Sequence, residues 1–399
     1  MQNKGYFTPA DILLPKEGFE QFAVIACDQH TSEPAYWQET EKIVGNTPSA
    51  LRLILPEAWL GEDDAARIEK INQTMEQYTK DGVFSKLKDT FVYVERTQQD
   101  GTVRHGIVGK IDLNAYDYHK GTDAAVRATE ETVLERIPPR VAIREGASLE
   151  LPHVMLLIDD PDFTVIEPLT AGKAEMQTLY DFDLMQKGGH ITGRKVSEGM
   201  AERVMAALEE LEEKGNGLVF CVGDGNHSLA SAKESYLKTG KPLAQYALVE
   251  VVNIHDEALQ FEPIYRVLFG VDAKALLEEF VATCGEDNGA SAQRFGVIMG
   301  EETQTVSVRA TSKLAVGTLQ TFLDDYLKRH SEAKIDYIHG EDTVKELCKQ
   351  ENTIGFLFEG MTKEELFPAV DGDGSLPRKT FSMGHADDKR FYLEARYLG

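Results

Sequence analysis

A short polar run in the middle of the chain has the residue types and spacing of an anion-binding turn. It follows residues 218–222, an apolar run rich in β-forming residues that predicts a buried strand, and good helix formers continue from Leu229 onward. Glycines permit a tight turn, and free N–H groups at a helix N-terminus attract anions. The run consists of Gly223, Asp224, Gly225, Asn226, His227 and Ser228. An ordinary strand-to-helix turn, capped by Asn226 or Ser228 and carrying a solvated His227, fits the same pattern.

A second polar stretch follows the strand candidate at residues 22–27. It contains Asp28, His30 and Thr31. Polar groups at strand ends commonly line clefts, so these side chains are candidates for binding a small substrate or a metal. A loop with a helix cap at Thr31 fits the stretch as well.

Two more stretches combine turn-forming residues with cations. Residues 188–194 are predicted to form a glycine-bearing polar loop, in which Thr192 and Arg194 are candidates for wrapping a phosphate. Near the C-terminus, Arg378 and Lys379 lie between a proline and two hydroxyl residues. In a chain this acidic such a basic spot can hold a phosphate locally, and otherwise it is a surface loop.

Composition limits the classes of partner. The 399 residues include 42 basic and 67 acidic side chains, a formal charge of −25, which repels nucleic acid and anionic lipid. The four cysteines form no CxxC pair, which disfavours a zinc ribbon or a disulfide framework and favours a reducing compartment. With no signal-peptide pattern and no long apolar segment, we expect a cytoplasmic protein without membrane or nucleic-acid partners. The sequence leaves the oligomeric state open.

The order of the predicted strands and helices that position these residues indicates an α+β, mixed α/β fold. Strands alternate with helices, but hairpins occur between them. A helix predicted within residues 124–144 has Thr129 as its candidate cap and Glu130 in its first turn, where a carboxylate suits the helix dipole. We expect a catalytic core over residues 1–270 and a smaller α/β subdomain over 271–399. Its last segment, residues 376–399, is expected to return to the core.

Four landmarks resemble, in order, a bacterial family called domain of unknown function 1015. Residues 129–132 read TEET where the family has His-Glu-x-Thr, and residues 223–227 read GDGNH where it has Asp-Gly-His-His-Arg. Residues 262–266 read EPIYR where it has Pro-Thr-His-Arg, and residues 376–385 contain the counterpart of its Pro-x-Lys-Ser-Thr segment. The Asp-Gly-x-His turn is also similar to the ParB/sulfiredoxin-like superfamily, which implies a core of that type with a further α/β subdomain. That superfamily includes kinases of free serine.

The resemblance implies a phosphotransferase that phosphorylates the hydroxyl of free L-serine with Mg²⁺, using pyrophosphate or an adenine nucleotide as the donor. It implies that Glu130 is the base, where the alternative is a solvent-facing helix carboxylate. Asp224 and His227 are the other catalytic candidates. Asp224 is a candidate Mg²⁺ ligand, because hard oxygen ligands suit that ion, or else an Asx-turn residue. His227 is a candidate donor to a phosphoryl oxygen, or else a helix cap. The remaining implied site residues bind the phosphate (Gly223, Gly225, Asn226, Ser228, Thr192, Arg194, Arg266, Arg378 and Lys379) or the substrate (Asp28, His30, Thr31 and Thr132).

This chain departs from the family pattern at two positions. Ser228 stands where the family has arginine, and Thr129 stands where it has histidine. The missing cation would then come from Arg194, Arg266, Arg378 or Lys379. Two alternatives stay open, namely a nucleotide-binding regulatory module of the ParB type and a metal-dependent hydrolase that uses Asp28, His30, Asp224 and His227.

Overall fold

The computed structural model describes residues 5–61, 63–131, 137–215 and 217–399. Within them the α-helices are α1 (Phe19–Phe22), α2 (Pro34–Val44), α3 (Asp64–Lys80), α4 (Ile137–Glu145), α5 (Glu167–Gly172), α6 (Glu198–Lys214), α7 (Asn226–Thr239), α8 (Ala273–Cys284), α9 (Ala315–Arg329), α10 (Glu341–Leu347) and α11 (Lys363–Asp373). The strands are β1 (Phe7–Thr8), β2 (Ala10–Pro15), β3 (Val24–Ile25), β4 (Phe84–Thr90), β5 (Val92–Thr97), β6 (Val103–Asp112), β7 (Tyr116–Asp117), β8 (Val126–Ala128), β9 (Leu149–Glu150), β10 (Met155–Ile158), β11 (Gln177–Asp183), β12 (His190–Lys195), β13 (Phe220–Asp224), β14 (Tyr246–Asn253), β15 (Phe261–Phe269), β16 (Gln293–Met299), β17 (Glu302–Val308), β18 (Lys334–His339), β19 (Thr353–Phe358), β20 (Phe381–Met383), β21 (Phe391–Tyr392) and β22 (Arg396–Tyr397). The fold is mixed α/β, as predicted.

The chain divides into two compact units. Unit 1 comprises residues 1–128, 132–259 and 384–399, and unit 2 comprises residues 129–131 and 260–383. None of the helices in the described ranges is long and apolar enough to cross a bilayer.

Unit 1 is built on a mixed ten-stranded sheet in the order β11-β12-β5-β6-β14-β10-β13-β8-β7, with β1 paired to β6. Strand β10 runs parallel to β14 and antiparallel to β13, while β13 runs parallel to β8. The predicted hairpin is confirmed by β5 and β6, and the strand predicted at residues 246–253 coincides with β14.

Alternation along β5 shows how the sheet buries two faces. Val92 and Val94 belong to one apolar cluster with Trp37, whereas Tyr93 belongs to a second cluster with Leu229. All of these side chains are almost fully buried. Because successive side chains of a strand point to opposite faces, a near-continuous apolar strand is what a sheet covered on both faces requires.

Unit 2 contains an antiparallel sheet in the order β17-β16-β19-β15-β18, with β20 paired to the first residues of β15. Phe280 of α8 packs against Phe295, Phe322 and Phe356 in its core.

A helix starting at Thr129 is not observed in the described part of residues 124–144. Val126–Ala128 form β8, and Glu130 forms an isolated parallel bridge with Leu376. The helical pattern was right only for the later residues, which form α4.

Candidate functional site

The predicted strand–turn–helix is present in unit 1. Strand β13 ends at Asp224, Gly225 adopts a left-handed conformation with φ of 82°, and α7 begins at Asn226. The positive φ strains any other residue at Gly225, and a Cβ atom there would also lie only 3.0 Å from Cγ2 of Val154, so backbone conformation and tight space both favour glycine. Gly225 itself occupies the N-cap, and neither Asn226 nor Ser228 does, so the predicted side-chain cap is wrong. His227 is the second residue of α7 and is half-buried.

Asp224 lies at the mouth of this turn with a cation that the sequence analysis missed. Its Oδ1 accepts a hydrogen bond from the Gly225 N–H at 2.9 Å, and its Oδ2 lies 3.4 Å from Nζ of Lys389. Lys389 is contributed by residues 384–399, far away in sequence. The only local signal was the high density of charged residues at 387–390. The turn therefore carries one carboxylate and one ammonium group.

Ser228, in the first turn of α7, has a histidine partner that was also missed. Its Oγ lies 2.9 Å from Nε2 of His153, and Nδ1 of the same ring lies 2.7 Å from the hydroxyl of Tyr392. Asp28 Oδ2 lies 3.9 Å from His153 Nε2. Burial would raise the pKa of Asp28, but the interaction with His153 when that ring is protonated, a hydrogen bond from Gln29 and the charge of Lys389 hold the pKa below its usual range.

The remaining residues of the 28–33 stretch are arranged differently. His30 lies within 3.0 Å of Glu33 through Nδ1 and 3.1 Å from Asp387 through Nε2, and its ring stacks on Tyr36. Thr31 is exposed. Asp28 is therefore the member of this stretch that the structure brings next to Ser228 and His153. Thr132, another predicted substrate contact, lies outside the described residues.

Of the loop predicted at residues 188–194, only Gly188 and Gly189 lie outside a strand, whereas residues 190–194 are part of β12. Strand β12 lies five positions from β13 in the sheet, roughly 24 Å at the usual strand spacing. Arg194 forms an ion pair with Glu95, and the Thr192 hydroxyl donates to Asp181 at 3.2 Å. The structure therefore does not bring Thr192 and Arg194 together with Asp224.

Unit 2 holds Glu130 beside the basic loop. The Lys379 N–H donates to Oε1 of Glu130 at 3.2 Å, and the Leu376 N–H donates to the carbonyl of Thr129 at 2.7 Å. The guanidinium of Arg378 lies 5.5 Å from the centre of the Tyr337 ring, and its Nε donates to the Tyr337 hydroxyl at 2.7 Å. A predicted base and two predicted phosphate-binding cations are thus neighbours within this unit.

Arg266 holds the backbone of this loop through hydrogen bonds. It is fully buried and donates to Gln320 and to the carbonyls of Ile264, Arg378 and Lys379. Burial lowers the pKa of Arg266 to about 10. With its guanidinium enclosed and bonded to the protein, Arg266 does not offer the predicted phosphate contact, and it instead fixes the backbone that carries the two outer cations.

No group of three or more His, Cys, Asp and Glu side chains in the described ranges is arranged to hold a metal ion. A structural zinc-type centre would need such a group. Mg²⁺ is instead commonly held by one or two carboxylates together with the phosphates of a substrate. A single carboxylate at the start of a helix, such as Asp224, fits that kind of site.

Comparisons with known proteins give the following similarities. The sequence model of a family described as "Protein of unknown function (DUF1015)" matches residues 9–326. A structure of a free serine kinase in complex with AMP aligns at 13% identity with a TM-score of 0.40, over 72% of this chain and 91% of that one. A conserved hypothetical protein from Pyrococcus furiosus aligns at 13% identity and TM-score 0.39, over 72% and 94%. SbnI with a C-terminal truncation, from Staphylococcus aureus, aligns at 12% identity and TM-score 0.37, over 69% and 82%. No curated protein matches the sequence.

Proposed function

The chain belongs to the DUF1015 family of proteins of unknown function, and we propose that it is a phosphotransferase that phosphorylates the hydroxyl of free L-serine. The donor is pyrophosphate or an adenine nucleotide, used with Mg²⁺. The observation that carries the proposal is the turn at Gly225, where Asp224 and Lys389 lie 3.4 Å apart at the start of α7. Such a turn offers both charges that phosphoryl transfer uses, an ammonium for phosphate oxygens and a carboxylate for a cation.

In unit 1 the residues of this turn bind and orient the donor. The N-terminus of α7 favours an anion, because the helix dipole places partial positive charge there. Lys389 adds a positive charge beside it. Asp224 would hold Mg²⁺, which neutralises charge on the phosphates when bound. His227 is proposed to donate to a phosphate oxygen.

In unit 2 the proposed role of Glu130 is to accept the proton of the acceptor hydroxyl. The bridge to Leu376 and the hydrogen bond from the Lys379 N–H hold this residue in a fixed position. Arg378 and Lys379 are proposed to neutralise the phosphoryl group. A positioned base typically contributes about 10²–10⁴-fold to a rate.

Phosphorus NMR tests the proposal directly. Purified protein is incubated with L-serine, Mg²⁺ and, in separate samples, pyrophosphate, ADP or ATP. We expect a phosphoserine signal with one donor, lowered about 10²–10⁴-fold in Glu130→Gln. The matched control is Glu131→Gln, the same change at the adjacent exposed glutamate, which should leave the rate unchanged.

A lack of phosphoserine with every donor would refute the serine-kinase proposal. If thermal shifts with the same ligands persisted in those samples, the protein would be a binding module instead. An equal loss of rate in the Glu130 and Glu131 variants would show that the negative charge of this segment affects the rate and that Glu130 is not the base.

A further inference from the structure

A hydrogen-bonded chain of side chains in unit 1 leads from the protein interior to Ser228. It lines a cavity of about 150 Å³ that includes Cys27, His153, Ser228 and Tyr392. His153 and Tyr392 are almost fully buried, whereas Ser228 is half-buried at the cavity wall. Gly225 makes the approach possible, because a Cβ atom there would lie 3.3 Å from Cδ2 of His153.

The hydrogen-bond partners of Tyr392 determine which nitrogen of His153 carries the proton. The Tyr392 hydroxyl donates to Sγ of Cys27 at 3.1 Å and accepts from the Cys27 N–H at 3.3 Å. Its single hydrogen is then used, so the 2.7 Å contact with His153 Nδ1 requires an N–H on that nitrogen. In the neutral ring Nε2 then carries the lone pair, 2.9 Å from Oγ of Ser228.

This arrangement matches the requirements of an activated nucleophile. A serine hydroxyl becomes reactive when a base accepts its proton and a third group holds the base in the correct tautomer. Here the three groups are Ser228, His153 and Tyr392. Asp28, with its carboxylate 3.9 Å from Nε2, would stabilise the imidazolium that forms when the proton is transferred.

We propose that Ser228 is a catalytic nucleophile that accepts the phosphoryl group of the donor and forms a covalent phosphoenzyme, with His153 as its base. The inference rests on the phosphoryl transfer proposed above and adds a second catalytic step to it. Oγ of Ser228 forms a bond to the terminal phosphorus, the bond from that phosphorus to the leaving oxygen breaks, and His153 Nε2 takes the hydroxyl proton. Phosphate leaves when pyrophosphate is the donor.

The second step moves the phosphoryl group from Ser228 to the acceptor oxygen. The bond from phosphorus to Oγ breaks, Glu130, the proposed base, takes the proton of the acceptor hydroxyl, and His153 returns its proton to Oγ. One primary alcohol replaces another as the phosphate ester, so this transfer has a small net change in bond energy when the acceptor is free serine. Ser228, one of the two residues that depart from the family pattern, is thereby given a chemical role.

Isotope exchange without acceptor tests this step. We would incubate the protein with Mg²⁺, pyrophosphate and [³²P]phosphate, and in parallel with ADP and labelled AMP or ATP and labelled ADP. Label enters a donor only if the phosphoryl group is held by the protein while the leaving group dissociates. We expect exchange with one donor in the wild type and a mass increase of one phosphoryl group on the peptide that contains Ser228.

The variants separate chemistry from structure. Ser228→Ala should abolish exchange, Ser228→Thr should retain part of it, and His153→Gln should lower it by about 10²–10⁴-fold. Ser231→Ala is the matched control, because Ser231 lines the same cavity but donates its hydroxyl to the His227 carbonyl at 2.7 Å. Tyr392 is a positioning residue, so Tyr392→Phe should reduce the turnover of exchange while the KM for the donor is unchanged.

The outcomes distinguish this inference from the proposed function. Phosphoserine formation without exchange or a labelled peptide would overturn the inference and leave direct transfer to serine. Exchange and label on Ser228 without phosphoserine would support the inference and refute the proposed acceptor. Exchange that survives in Ser228→Ala would overturn the role of Ser228, and a complete lack of both activities would overturn both proposals.

Discussion

Replacing Arg390 by methionine should strongly destabilise unit 1, because this guanidinium neutralises two carboxylates inside it. Arg390 pairs with Glu250 and, at 2.5 Å, with Glu394, while its Nε donates to the carbonyl of Pro152 at 3.1 Å. The arginine and both glutamates are each at most 3% exposed. Burial would raise the pKa of Glu250, but the charges of Arg390 and Arg104 hold it below its usual range.

The expected size of the effect follows from the burial of the pair. Removing one partner of a buried ion pair typically costs about 3–5 kcal/mol, because the other charge stays buried without compensation. Methionine preserves most of the apolar stem, so the change isolates the guanidinium. With an m-value of about 3 kcal/mol/M, the urea midpoint should fall by roughly 1–1.7 M.

Tryptophan fluorescence is a suitable assay, because both tryptophans of the chain, Trp37 and Trp59, belong to unit 1. The control is Lys80→Met, which removes the partner of Glu76 in an ion pair whose side chains are 70% and 63% exposed. Such exposed pairs contribute about 0–1 kcal/mol, so its midpoint should barely move.

A second substitution tests the cause of the loss. Adding Glu394→Gln to Arg390→Met replaces one of the stranded carboxylates by a neutral amide, so the double variant should be more stable than the sum of the single changes by about 0.5–3 kcal/mol. A loss below about 1 kcal/mol in Arg390→Met, with an unchanged m-value, would refute the reasoning. Strict additivity of the two substitutions would also refute it.

Two further predictions concern single charges. Lys389→Met removes the ammonium group that lies 3.4 Å from Asp224. It should raise the KM for the donor in the phosphoserine assay about tenfold, which corresponds to about 1.4 kcal/mol, whereas Lys389→Arg should retain part of the affinity. An unchanged KM in both variants would contradict a contact between Lys389 and the donor. Burial alone would raise the pKa of Glu150, but the charges of Arg144 and Arg396 lower it by more, so the pKa in the folded protein lies below the ordinary 4.5. The ionised Glu150 therefore stabilises the fold fully above pH 4.5, and this stabilisation is lost as the pH falls through the folded pKa. Urea unfolding from about pH 6 to pH 3 should show a steeper loss of stability in the wild type than in Glu150→Gln. Parallel curves for the two proteins would contradict this prediction.

Local patterns predicted the parts of the structure whose geometry depends on neighbouring residues. The apolar run at residues 246–253 is strand β14, and Gly225 adopts a left-handed conformation directly before helix α7. Backbone periodicity and glycine conformation are local properties, which explains this success. The family landmarks were also readable, because each is a short contiguous segment.

Predictions that relied on local patterns alone failed where pairing with distant segments decided the backbone. Glu130 follows a helix-like pattern, yet Leu376 pairs with it as a bridge. The glycines at 188–193 indicated a loop, yet only Gly188 and Gly189 lie outside a strand, because β5 and β11 pair with residues 190–195 on both sides. Hydrogen bonds from partners far along the chain outweighed the local preference in both cases.

The sequence alone therefore determined the family, the mixed α/β class and the strand–turn–helix around Gly225. The tertiary structure decided which side chains meet at that turn. It placed β10 next to β13 and returned residues 384–399 to unit 1, which brought His153, Tyr392 and Lys389 to the residues of the turn. Arg266 has the charge of a phosphate ligand, but it is fully buried in the packed unit. Its guanidinium therefore donates to the carbonyls of Arg378 and Lys379 and supports their loop. Side-chain chemistry is encoded residue by residue, whereas proximity and burial depend on strand order and packing between segments up to hundreds of residues apart.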